Sequence, residues 1–208
     1  VANIHTMMKV FEVLILFPFM GWIVKATYKV VPGSDCTTED AFELKYIGDG
    51  AIIAPTTAVF DSIHEIVHMG KVAIENLKTA MDALCDLNEE KIHEVYGTEK
   101  YINFMNHKIT DYLVRVNELE LPLADGRLLG GLFHVVNDIE RIGDHAENLA
   151  DSAKERMEGQ IPLSDKAKGQ LQKMMDKVVE ILEYSLEMFS NRSHEHMQEI
   201  LKLEDEID

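Results

Sequence analysis

Cysteine is scarce in this 208-residue chain: only Cys36 and Cys85 occur, too far apart in sequence for a CxxC metal or redox motif. A disulfide framework is excluded on that count, and a reducing compartment fits better. Basic charge is also in short supply, with 20 Lys and Arg against 37 Asp and Glu, a formal net charge of -17. Such a surface repels nucleic acid and anionic lipid over most of its extent, which leaves cations as natural partners. Long hydrophobic runs are nearly missing too. The one exception is VFEVLILFPFMGWIV, between Lys9 and Lys25, whose only charge is Glu12.

That run is shorter than the roughly 20 apolar residues a bilayer span needs. With IHTMM ahead of it a transmembrane span is accommodated, because Lys9 and Glu12 stand three apart on a helix and Trp22 lies where an interfacial aromatic would. A basic start and a small-residue cleavage site are missing, so a signal peptide is excluded. The alternative is a buried helix or hairpin. If the run spans, Lys25 and Lys29 place the remainder of the chain in the cytoplasm, anchored at the cell inner membrane. Residues 1–31 are therefore read as the end of a membrane domain with the lipid bilayer as partner. Residues 32–57, rich in Pro, Gly, Ser and Asp, are read as a linker with a short strand at Phe42–Ile47. The chain starts with Val and stops within the acidic pattern LKLEDEID, so both ends are expected to be cut.

From Ala58 onward the period is helical. Ile63, Ile66, Ala73, Ile74, Leu77, Met81 and Leu84 mark one buried face. A second helix is expected from about Glu89 to Leu119 and a third from about Asp125 to Met157, the Leu-Pro pair at 121 and 122 and GQIPLSD acting as breaks. The fold class is all-α, an antiparallel bundle. A shift of 105 positions lays the helices after Ser164 on the first two: Ile66 falls on Leu171, Val178 matches Ala73, Leu182 matches Leu77, and Glu99 with Asn103 falls on Glu204 with Asp208. Residues 58–159 thus form one three-helix repeat and residues 160–208 a second, incomplete one. The apolar face of the incomplete repeat (Leu171, Val178, Leu182, Phe189) is expected to be exposed and to favour self-association.

HEIVHMG, residues 64–70, has the spacing of a zinc-peptidase helix, two His one turn apart with Glu between as general base. Helical geometry places both histidines toward solvent, no third ligand motif follows downstream, and the repeat puts Gly169 and Lys173 at the matching positions. A solvated helix face is the simpler reading. An HD-type phosphohydrolase is disfavoured because residues 144 and 145 read Asp-His rather than His-Asp.

The third helix holds NDIERIGDHAENLADSAKERM, in which Asn137, Glu140, Asp144, Glu147 and Asp151 make an acidic stripe apart from the apolar one. Carboxylates one turn apart lie about 6 Å from each other and repel unless a cation stands between them. A solvated acidic face is the alternative. The segment ERIGDHAENLA resembles the acid-x-x-x-acid signature of the PhoU family, whose three-helix repeats carry paired signatures that hold metal ions on the bundle surface. The resemblance implies PhoU-like repeated bundles, with Glu140 and Asp144 facing Glu99 and Asn103, a neutral oxygen replacing an acid at Asn103. Glu204 and Asp208 would be the corresponding pair of the second repeat. The all-oxygen set suits Mg²⁺, Mn²⁺ or iron better than a closed zinc site, with His145 nearby.

IHTMMKVFEVLILFPF and APTTAVFDSIHEIVHMG in turn resemble the last membrane segment and the junction of bacterial sodium/phosphate cotransporters that carry a C-terminal PhoU-like domain. The resemblance implies a non-enzymatic regulatory domain joined to the transport core of the same parent protein. That family's Gln-Ser-Ser-Ser motifs for sodium and phosphate are absent from this chain. A free-standing PhoU-like regulator, with the apolar N-terminus packed on its own bundle, is the alternative.

Overall fold

The computed structural model describes residues 42–48, 50, 52 and 54–207. The membrane-span reading of residues 1–31, Cys36 and Asp208 lie outside the described residues. Among the described residues no helix is long and apolar enough to cross a membrane.

Five helices follow one another: α1 Pro55–Asp86, α2 Glu89–Asn117, α3 Leu123–Glu158, α4 Asp165–Asn191 and α5 Met197–Ile207. Their ends are local chemistry. Pro55 stands in the first turn of α1, where its missing N–H costs nothing. The Asn88 side chain caps α2 by accepting from the N–H groups of Glu90 (2.9 Å) and Lys91 (3.2 Å). Ser164 does the same for Ala167 at the start of α4 (3.2 Å).

α1 ends at Asp86 and α4 at Asn191, 105 residues apart, and each is followed by a non-glycine residue in the left-handed region, Leu87 (φ 53°) and Arg192 (φ 50°). A left-handed residue after the helix turns the chain back and satisfies terminal carbonyls, as the Leu87 N–H does with Ala83 O at 2.9 Å. Gln160 (φ 52°), just after α3, adopts the same conformation.

α1, α2 and α3 pack pairwise into a bundle around two clusters. At one end Ile66, Met69, Ile102, Met105, Ile109, Leu129 and Leu132 are buried. At the other, Ala146, Ala150 and Ala153 of α3 let Leu77, Met81 and Val95 close over them. α4 lies against α1, and α5 packs on α4.

Two expectations need correction. Phe42–Ile47 forms no strand. Its amides turn inward instead, Tyr46 and Ile47 donating to Glu65 Oε2, with Ile47 at 3.3 Å. The segment is a strap fastened further by Tyr101 Oη to Glu43 O (3.1 Å) and by Arg115 to Gly48 O (3.1 Å). The face of α4 expected to stand exposed is partly covered: Leu171, Val178 and Leu182 pack on the alanine-rich cluster and Phe189 on the other. The reason is a close helix approach. A Cβ at Gly70 would meet Leu186 Cδ1 at 2.7 Å, so the glycine leaves the room that this side chain occupies and a larger residue would make it shift. Lys78 of α1 adds an ion pair to Glu183 of α4 at 3.0 Å.

Candidate functional site

The middle of α2 crosses the middle of α3 at Gly143, and the side chain that fills the crossing is Glu99. It is only 2% exposed, and neither carboxyl oxygen has a hydrogen-bond partner. A methyl group at Gly143 would overlap Glu99 Oε2 and stand 3.2 Å from Ile102, so the glycine is what lets the carboxyl lie against the α3 backbone. Burial pushes the Glu99 pKa up to about 7, reinforced by the negative charges of Asp144, Glu147 and Glu140. Burial also raises the Glu140 pKa, as does Asp144, while His107 and Arg141 oppose the shift.

Helical spacing puts Glu140, Asp144 and Glu147 on one flank of α3, so the crossing gathers these acids around one buried, unpartnered carboxyl. Glu140 and Glu147 are half-buried, and Asp144 is exposed. Among the described residues no three His, Cys, Asp or Glu side chains are drawn together into a ready-made metal cage.

The structure therefore brings Glu99, Glu140 and Asp144 into one electrostatic neighbourhood. Asn103, one turn along α2, is exposed, as is His145. Glu204 is exposed on α5, which packs on α4, and Asp208 lies outside the described residues. Glu147 belongs with the site although the sequence marks it only as part of the acidic stripe; its position one turn from Gly143 is the available signal. Tyr96, on the next turn of α2 toward the N-terminus, donates to Asp151 at 2.6 Å, which extends the polar seam and pushes its own pKa up to about 12.

The HEIVH motif is not a peptidase centre. Glu65, which would have to serve as general base, is fully buried, and both its oxygens are engaged, Oε2 by the Tyr46 and Ile47 amides and Oε1 by His68 Nδ1 at 3.1 Å. A base must reach substrate, and this one is locked under the strap. His64 and His68 are half-buried beside Tyr46 rather than turned fully to solvent.

Residues 66–153 match the profile of the PhoU domain. The chain is 27% identical over 160 residues to a phosphate-specific transport system accessory protein PhoU homolog of Clostridium acetobutylicum, covering 74% of this chain and 72% of that one. It is 33% identical over 90 residues to a protein of the same description from Aquifex aeolicus, covering 43% and 41%, and 31% identical over 87 residues to one from a Burkholderia species, covering 41% and 37%. The chain thus spans about two fifths of the length of the latter two. These relatives are described as accessory proteins. No solved structure matches significantly. Residues 66–153, which hold Glu99, Glu140, Asp144 and Glu147, make up a PhoU-like domain.

Proposed function

We propose that this chain is a regulatory domain of a phosphate-transport system and that the α2–α3 crossing holds a divalent or iron cation through Glu99, Asn103, Glu140 and Asp144, with Glu147 beside them. The observation that carries the metal reading is Glu99, a buried carboxyl with two orphaned oxygens among like charges. Burying an unpaired polar group costs on the order of 1–3 kcal/mol, and more for a charged one. A cation would remove that cost, and the oxygen-only donors fit Mg²⁺, Mn²⁺ or iron. The bound ion would tie α2 to α3 and make the crossing rigid. Metal titration of the full chain against a Glu140→Ala, Asp144→Ala variant tests this reading. Binding is expected to weaken at least ~10-fold, and unchanged binding would sink it.

The regulatory reading rests on the names of the relatives, which place such proteins with phosphate-specific transport. We take the domain to be joined through residues 1–31 to the transport core of a sodium/phosphate cotransporter at the cell inner membrane, facing the cytoplasm. The alternative, a free-standing accessory protein, is favoured by the 72% coverage of the Clostridium relative. Detergent-free fractionation separates the two, since recovery of the intact chain as a soluble folded monomer supports the free-standing reading. Self-association through the second repeat remains part of the proposal, with Met174, Met197 and Leu201 as its exposed apolar residues.

A further inference from the structure

HEIVH keeps an arrangement that the α2–α3 site does not use. His64 and His68 stand one turn apart on α1, which puts their Cβ atoms about 6 Å from each other. His68 Nδ1 is 3.1 Å from Glu65 Oε1, and the strap amides on Oε2 keep that carboxylate from swinging away. A histidine whose Nδ1–H is given to a buried carboxylate presents Nε2 as a free lone pair in a fixed direction, the outer-shell arrangement found behind metal-ligating histidines.

The surroundings are aromatic. The Phe60 ring meets His64 edge-on at 4.4 Å, and the Tyr46 ring lies 5.4 Å from His64 and 6.4 Å from His68. Phe60 and Tyr46 are themselves 57% and 45% exposed, so core packing does not account for their gathering around two imidazoles. Among the described residues no hydrogen bond occupies His64 or the outer nitrogen of His68.

We propose that His64 and His68 form a two-histidine site for a borderline divalent cation of the Zn²⁺ class, with Glu65 as the positioning residue and water completing the coordination. Imidazole nitrogens suit Zn²⁺, Ni²⁺ and Cu²⁺, whereas the carboxylates at the α2–α3 crossing suit harder ions, so the two sites differ in the metal they take. The site binds and does not hydrolyse, since its carboxylate faces inward. It does not depend on the α2–α3 reading.

The test uses the full chain and Cu²⁺, the strongest binder of the divalent series, followed by electron paramagnetic resonance and then by displacement with Zn²⁺. The parent is expected to show coupling to two nitrogens, and His64→Ala and His68→Ala are each expected to leave one and to weaken binding at least ~10-fold. Glu140→Ala, Asp144→Ala is expected to keep the two-nitrogen signal. Glu65→Gln should retain both nitrogens with affinity lowered roughly 10–100-fold. If circular dichroism shows that variant unfolded, the two histidine variants, whose side chains reach the surface, decide the matter alone. A His64→Ala, His68→Ala double variant with unchanged affinity and nitrogen count overturns the proposal, as does a parent signal from fewer than two nitrogens.

Discussion

Replacing Glu99 by Gln isolates the electrostatic cost of the α2–α3 crossing. The amide keeps the shape of the side chain and removes the charge. In the folded chain the Glu99 carboxyl titrates at about 7 instead of 4.5, and each unit of separation is worth 1.36 kcal/mol, so ionising it costs the fold about 3 kcal/mol. Because the folded pKa is the higher one, the fold keeps its full stability below pH 4.5 and loses this amount as pH rises through 7. The Gln variant has no such loss. In urea unfolding with chelator present, the stability gap between variant and parent is expected to widen in favour of Gln by about 3 kcal/mol between those limits. Other carboxylates are common to both proteins and largely cancel. With Mn²⁺ in place of chelator the order should reverse above pH 7, since only the parent offers the ionised ligand. Gaps that stay parallel across the whole pH range in chelator would refute the reasoning, because they would mean that Glu99 is solvated in the folded state.

Gly143→Ala forces a methyl into Glu99 Oε2 and against Ile102; a loss of about 1–3 kcal/mol is expected in thermal unfolding. Much of it should be recovered in Gly143→Ala, Glu99→Ala, and additive effects would contradict the contact. Glu65→Ala removes the acceptor of the Tyr46 and Ile47 amides; those two amides should lose protection in hydrogen exchange and the strap should become the first protease site, while α2 and α3 keep their protection. Arg156→Met deletes a hydrogen bond to Leu84 O (2.6 Å), which ties the end of α3 to the end of α1, and one to Ile161 O (3.0 Å) in the connection after α3. A loss of about 1–3 kcal/mol is expected, measured by denaturant unfolding. The chain alone in liposomes should show no sodium-dependent phosphate uptake, as a transport path needs several helices around a midplane site.

Most of the helical architecture is legible from local pattern. Apolar residues such as Ile66, Ala73, Leu77 and Met81 recur with the helical period, although α1 begins at Pro55, inside the stretch 32–57 read as a linker. The left-handed residues that close α1 and α4, Leu87 and Arg192, carry no glycine to mark them in the sequence. The acidic stripe of α3 is visible for the same reason, since residues one turn apart on one helix share a face whatever surrounds them. Helical period says nothing of how closely a neighbouring helix comes, and that is where the tertiary structure decided. Glu99 reads as a polar position at the edge of its seam, yet it is buried because Gly143 leaves no side chain in its way. Glu65 reads as the acid of a metallopeptidase motif, yet its environment comes from amides of a strap roughly twenty residues earlier in the chain. Phe189 reads as part of an open face, yet it packs on the bundle, where Leu186 of the same helix comes up against Gly70 of α1. In each case burial was settled by what an element distant in sequence lacks or supplies at the point of contact, a quantity that no single helix carries in its own pattern.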